Sequence, residues 1–336
     1  MVLTAGAIIP AITGRIWDDF VRDSIFLPLD MTETNTSIRA FVDNPNVATP
    51  HTTYNDEVIT IPYRDVDNVG AAAAINSNVT DLAKWMKFWL RPPDMTGIGI
   101  HHLSSATRHE LWTPQTIIPI SQAATKINPT RHFSAAALGW FTFDYQGRKI
   151  LNHSGGMDGM ISYVALVPEE HLGVVILTNS INSLPPAIAY RAMEQFFGKD
   201  DRDWSGEFLR RKYVADSTEN ESSKKELSER NKNSKPSLPL KDFVGTYRSE
   251  MYGDVFVTLE KGKLVVSFLP TSSFIGDLTH CQYDTFTIDL RDHNLPAGKV
   301  SFILDASGKA SQMKIDIPNP DFDFSELELL KVDATQ

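Results

Sequence analysis

The part of this sequence richest in chemistry is Asn152-His153-Ser154-Gly155-Gly156, followed by Met157-Asp158-Gly159. It closes a strand-like run, and two successive glycines leave the main chain open to close approach by a substrate or another chain. A backbone N–H in such a place can donate to the oxyanion that develops when a carbonyl is attacked. The same spacing fits a Gly-Gly hairpin turn with a histidine beside it, and spacing alone favours that plainer reading. His153 and Ser154 do not make a nucleophile–base pair, because neighbours on a strand point to opposite faces.

Other chemistry is thin. There is no Gly-x-Gly-x-x-Gly, no Gly-x-x-x-x-Gly-Lys-Ser/Thr, no His-Glu-x-x-His and no Gly-x-Ser-x-Gly, which removes the usual signals for nucleotide binding, zinc proteases and α/β-hydrolases. His101, His102 and His109 have no acidic partner at a metal-ligand spacing and read as surface histidines, so no metal or other cofactor is expected. In Asp321-Phe-Asp-Phe-Ser-Glu326 the acids alternate with apolar residues, as on the wet face of a strand.

The elements that must position these groups follow from periodicity. Ala5, Ile8, Ile9 and Ile12 recur at helical spacing and predict the start of a buried helix, since neither a preceding basic residue nor a cleavage site supports a signal peptide. Ile16, Phe20, Val21 and Ile25 continue the pattern to Pro28. Asn78 caps a helix that carries Leu82, Trp85, Met86 and Trp89 and stops at Pro92-Pro93. Between 137 and 178, short strand-like runs separated by Gln146-Gly147, Gly155-Gly156 and Pro168-Glu169-Glu170 predict an antiparallel meander, followed by a helix over 185–197. From Leu238 onward six turn-punctuated strands predict a small sheet or barrel.

Length supports this division: 336 residues at about 150 per domain give roughly two domains. We assign residues 1–199 to the first, 200–236 to a charged, partly helical and partly disordered linker, and 237–334 to the second. With 42% hydrophobic and 22% charged residues the composition is that of a globular protein. The net charge of −10 excludes a global attraction to nucleic acid or to anionic membrane. No run is long and apolar enough to span a bilayer as a helix. One cysteine, Cys281, rules out an intrachain disulfide but leaves the compartment open, with the cytoplasm slightly favoured.

The order of segments resembles the serine β-lactamase and penicillin-binding-protein superfamily, in its class C-like esterase, D-aminopeptidase and acyltransferase branch. Four stretches carry the resemblance. Thr13-Gly-Arg-Ile-Trp-Asp-Asp-Phe20 with Ile25-Phe-Leu-Pro-Leu-Asp-Met-Thr-Glu-Thr34 is similar to the segment after the family's second motif. Gly70 to Met86 resembles its alanine- or glycine-rich turn into a helix, and His153-Ser-Gly-Gly156 stands where the third motif, Lys-Thr-Gly or His-x-Gly, is found. Asp203-Trp-Ser205 and Leu240-Lys-Asp-Phe-Val-Gly-Thr-Tyr247 resemble the linker and barrel-like domain often fused behind such enzymes.

The resemblance implies an α+β fold: a partial β-lactamase-like antiparallel sheet with helices, followed by a small all-β barrel-like domain. It implies attack by a serine on a small-molecule acyl substrate, an ester, thioester or amide, through an acyl-serine intermediate. His153 would line the cleft in place of the family's Lys or His, Ser154 would offer its hydroxyl to the substrate, Gly155 would permit close approach, and Gly156 would supply one oxyanion donor. The family's Ser-x-x-Lys and Tyr-x-Asn motifs precede the segment that opens this chain. Tyr-x-Asn is absent, and Ser-x-x-Lys occurs only at Ser222–Lys225 and Ser311–Lys314, in the linker and the second domain. The expectation is therefore a chain that is inactive alone, or a non-catalytic binding or remnant protein of the same fold. Uncovered apolar surface would then drive self-association.

Overall fold

A computed structural model describes residues 2–41, 44–54, 57–92, 103–199, 202–231, 233–269, 271, 273–319 and 322–332. The chain forms two compact units, residues 1–213 and 214–336.

The first unit opens with helix α1 (Val2–Thr13), followed by α2 (Trp17–Val21), which runs on into a π-turn over Arg22–Phe26. The expectation that α1 is buried is corrected. Only Gly6 is buried, and Ile12 and Val2 are 78% and 62% exposed. The helix packs on α2 and on the short helix α3 (Gly70–Ala73) through the side that carries Gly6, where a Cβ would stand 2.2 Å from that of Ala71, and its other sides stay exposed. Between these helices lie the hairpin strands β1 (His51–Tyr54) and β2 (Glu57–Thr60).

Helix α4 (Val79–Leu90) begins as expected at Asn78, whose side chain accepts from the Asp81 N–H at 2.9 Å. Then follow α5 (Ser105–Trp112), strand β3 (Thr116–Ile117), α6 (Gln122–Ile127), β4 (Ser134–Ala136), β5 (Phe141–Tyr145), β6 (Arg148–Met157), β7 (Met160–Val167) and β8 (Leu172–Thr178). The six strands β3 to β8 pair antiparallel in chain order, which is the meander read from the sequence.

Ile150 and Leu151 are both fully buried although they point to opposite faces of this sheet, so the sheet is covered on both sides. On one face Leu151, Leu166 and Trp140 pack with Met86, Phe88 and Trp89 of α4. On the other, Ile150, Phe143, Tyr145 and Ala165 pack with helix α7 (Leu184–Phe196) and with Trp204, the first residue of helix α8 (Trp204–Glu229). Inside this second layer Glu194 is almost completely buried. Its oxygens accept from the Tyr145 hydroxyl, from Trp204 Nε1 at 2.5 Å and from Gln146 Nε2 at 3.3 Å. Three neutral donors thus compensate a carboxylate taken out of water.

Helix α8 runs through most of the residues assigned to the linker and crosses the boundary between the units at 213/214. In the second unit a short helix α9 (Leu240–Phe243) leads into β9 (Gly245–Ser249), β10 (Gly253–Glu260), β11 (Lys263–Phe268), β12 (Ile275–Gln282), β13 (Thr285–Leu290), β14 (Gly298–Leu304), β15 (Ala310–Asp316) and β16 (Leu329–Val332). These close into an eight-stranded barrel because β16 pairs with β9, Lys331 opposite Tyr247. Closure leaves no free edge, and the interior is filled by Phe243, Tyr247, Phe286, Ile288, Val300 and Met313. The strand read into 321–326 is corrected: Phe324–Glu326 is a 3-10 turn whose start Asp323 caps, its carboxylate accepting from Ser325 N. Asp321 lies outside the described residues. The whole is an α+β unit followed by an all-β barrel.

Among the described residues no helix is long and apolar enough to cross a membrane.

Candidate active site

Strand β6 passes from the core to the surface along its length. Ile150 and Leu151 are buried, whereas His153, Ser154, Gly155 and Gly156 are exposed. The glycine pair is not the hairpin turn that its spacing favoured. Gly155 pairs with Ser162 and Gly156 with Ile161, so both lie within the ladder of β6 and β7. The turn falls two residues later, at Asp158-Gly159, where Gly159 adopts a left-handed φ of +69°.

Neighbouring loops hold this turn. A Cβ on Gly159 would stand 2.7 Å from both the backbone N of His51 and Cβ of Pro50. His51 is fixed in turn, its Nδ1 3.2 Å from the carbonyl of Asn179, whose own Nδ2 donates to the Thr49 carbonyl at 3.0 Å. Arg64 donates from Nε to Asp158 Oδ2 at 2.5 Å in a half-buried ion pair. Ninety-four residues separate these two, so nothing local announced the pairing.

His153 and Gly155 share one face of the sheet, while Ser154 lies on the other with Asn152. The structure therefore does not bring the His153 and Ser154 side chains together. His153 Nδ1 lies 2.7 Å from the Ser154 carbonyl. A carbonyl can only accept, so Nδ1 carries the proton and Nε2 keeps its lone pair free in the neutral ring. The ring borders a cleft of about 320 Å³ walled by Trp85 and Trp89 of α4, Trp140, Leu82 and Val164. The aromatic wall is tight, with Trp89 edge-on to Trp85 at 5.4 Å and to Trp140 at 5.7 Å between centroids. Nε1 of Trp89 is buried without a hydrogen-bond partner. The sequence marked Trp85 and Trp89 only as helix core. Their role as the wall beside His153 depends on packing against Trp140, fifty-one residues beyond Trp89.

The two glycines differ in room. A Cβ on Gly155 would meet Ser162 Oγ at 2.7 Å, whereas nothing lies within 4 Å of the same position on Gly156. The position that a side chain on Gly156 would take is thus open. Farther in along the face of His153, Lys149 donates to the Trp112 carbonyl at 2.9 Å, and burial draws its ammonium below the ordinary lysine value.

Of the remaining sequence candidates, Ser222 and Ser311 belong to the second unit, and Ser180 is bridged to His51 beside the Gly159 turn. Ser311 lies on β15 with its hydroxyl donating to the Ile303 carbonyl, and Ser222 lies on α8 in the second unit. Ser180 and Asn182 are joined in a local turn, Asn182 Nδ2 donating to Ser180 Oγ at 2.9 Å. His109 is exposed on α5, and His101 and His102 fall outside the described residues.

Residues 1–194, more than half of the chain, match the family model described as Beta-lactamase. The chain belongs to the Beta-lactamase family. Within it, residues 229–331 match a domain of unknown function, DUF3471, which covers the barrel. Among curated proteins this Beta-lactamase family member is 31% identical over 202 residues to an unguisins hydrolase of Aspergillus campestris, covering 58% of the chain and 35% of that protein. It is 27% identical over 232 residues to the corresponding hydrolase of Aspergillus violaceofuscus, covering 62% of the chain and 39% of that protein. The chain thus spans little more than a third of the length of these relatives. The fold is similar to that of an octameric penicillin-binding protein homologue from Pyrococcus abyssi, with a TM-score of 0.51 and 18% identity over 97% of this chain and 62% of that one.

Proposed function

We propose that this chain supplies the strand side of a serine hydrolase or acyltransferase site, with the nucleophile coming from residues outside these 336. A serine hydroxyl would attack the carbonyl of an ester, thioester or amide, the leaving group would depart, and water or another acceptor would take the acyl group from the serine. His153 would line the cleft and present its free Nε2 to the reacting groups. Gly155 would let the substrate lie close to the strand, and the N–H of Gly156 would donate to the oxyanion. One such donor is worth about a hundred- to thousand-fold in rate. Ser154 would use its hydroxyl to hold a substrate group at the strand edge.

The observation that carries this reading is the exposed strand end His153–Gly156, with open space at the Gly156 Cβ position and with His153 bordering an apolar cleft. The family match and the hydrolase names of the two relatives support the reaction class. A histidine where the family also uses lysine favours esters, thioesters and amides over carboxylate-bearing β-lactams, because it offers no permanent cation. The octameric assembly named for the Pyrococcus homologue lends support to self-association.

A second reading, a non-catalytic protein of the same fold, is favoured by the positions of Ser222 and Ser311, both in the second unit and neither near β6 in sequence. One experiment separates the two. The chain is mixed with the Ser-x-x-Lys and Tyr-x-Asn segment of a relative, and p-nitrophenyl ester hydrolysis and fluorophosphonate labelling are followed. The acyl-serine reading expects labelling of the supplied serine and turnover that falls at least about a hundredfold in His153→Ala. Labelling and turnover that fail to appear with a correctly associated segment would leave the non-catalytic reading.

A further inference from the structure

The face of the sheet opposite His153 carries a second cleft, of about 280 Å³, built wholly from the first unit. Its surfaces are mostly apolar: Ile127 from α6, Phe141 and Phe143 from β5, Pro186 from α7 and Phe208 from α8. Into this lining reaches one cation, Arg131.

Arg131 is held in place with care. It follows a turn organised by Asn128, a fully buried residue whose Nδ2 donates to the Asp144 carbonyl at 2.9 Å and whose Oδ1 accepts from the Thr130 hydroxyl at 2.8 Å. The guanidinium lies over the Phe143 ring, 3.9 Å from its centroid, and donates from Nη2 to the Tyr190 hydroxyl at 3.2 Å. Its Nε is buried without a partner. The carboxylates nearby are committed elsewhere. Asp144 accepts from the ring and backbone of His132 and from Phe133 N, and Glu194 accepts from Tyr145, Trp204 and Gln146. Among the described residues no acid pairs with Arg131.

An arginine that stacks on an aromatic ring, lacks a counter-ion and lines an apolar cleft is matched by one kind of ligand. We propose that this cleft binds a small organic carboxylate with an aromatic or branched apolar body, the carboxylate on Arg131 and the body against Phe143, Ile127 and Phe208. The planar guanidinium fits a carboxylate through paired N–H donors, and the apolar walls strengthen that pairing by excluding water. Tyr163 lines the same cleft and adds a hydroxyl. Burial pushes its ionisation well above the ordinary tyrosine value, so it stays a neutral donor at working pH. The cleft is smaller than most drug-sized sites, which limits the body to about the size of one ring with a short chain. The lining of this cleft holds neither His153 nor Gly156, and a binding titration there does not depend on the acyl-serine reading.

The test is a calorimetric titration of the whole chain with 3-phenylpropionate and with the uncharged 3-phenylpropanamide. The carboxylate should bind saturably and at least about tenfold tighter than the amide, the worth of one charge-assisted pair. Arg131→Met, which keeps a stem over Phe143, should make the two ligands equal, and Tyr163→Phe should weaken the carboxylate alone. Equal affinity of acid and amide for the unaltered chain, or no saturable binding of the acid, would overturn the proposal. That comparison needs no variant, so a misfolded Arg131→Met protein does not rescue the idea.

Discussion

Asn152 and His153 are consecutive on β6, yet they border two different clefts on opposite faces of one sheet. His153 stands against the tryptophans of α4, and Asn152 against the arginine-bearing cleft below α7. The arrangement follows from strand alternation in a sheet covered on both sides. The His153 cleft on one face and the arginine-bearing cleft on the other share a single strand as their partition.

The turn at the end of this strand should be intolerant of a side chain. Gly159→Ala meets both a left-handed φ and backbone 2.7 Å away, and is expected to lower stability by about 1–3 kcal/mol in urea unfolding. Gly156→Ala, with open space around it, is expected to cost less than about 1 kcal/mol. If the two variants unfold at the same urea concentration, the contact with the His51 loop does not hold the turn.

Acid should loosen the first unit through Glu207. Burial opposes its ionisation, but hydrogen bonds from Arg211 at 2.9 Å and from Arg202 at 2.7 and 2.8 Å outweigh that and hold its pKa below the ordinary 4.5. Because the folded value is the lower one, this stabilisation is fully present above the unfolded value and is lost as pH falls through the folded one. Arg202 also donates to the Ile127 carbonyl at 2.6 Å, so the loss reaches the end of α6. Glu207→Gln should remove part of the stability difference between about pH 6 and pH 3, followed by tryptophan fluorescence in urea. An unchanged acid limb in that variant would assign the loss to other carboxylates.

Helix α1 should make the isolated chain self-associate. Ile8 and Ile12 are 50% and 78% exposed on a helix without a charged residue, and β8, at one end of the sheet, hydrogen-bonds to β7 alone among the described strands. Ile8→Lys with Ile12→Lys is expected to raise the monomer fraction in size-exclusion chromatography while changing stability by no more than about 0.5 kcal/mol. A chain that is already monomeric and melts cooperatively would contradict this.

Much of the fold was legible because it is local. The Asn78 cap, the 3.6-residue spacing of α4 and the short alternating runs of β5 to β8 are each written within a few residues, and periodicity reads them directly. Where local rules competed, they erred. Gly155-Gly156 has the composition of a turn, but Asp158-Gly159 supplies the left-handed residue and the glycine pair is drawn into the ladder opposite Ser162 and Ile161. The apolar spacing of α1 has the pattern of a buried helix, yet among its described residues Gly6 alone is buried.

The sequence by itself determined the main helices and the strand meander of the first unit and the division into a mixed unit and a β-rich one, because each depends on spacing within a single segment. Only the tertiary structure decided which distant residues share a site. Arg64 reaches Asp158, Trp89 meets Trp140, Arg131 stacks on Phe143 in the cleft below α7, and β16 closes the barrel on β9. Those pairings are selected by burial and shape complementarity across the folded chain, and neither quantity is encoded in the period of any one element.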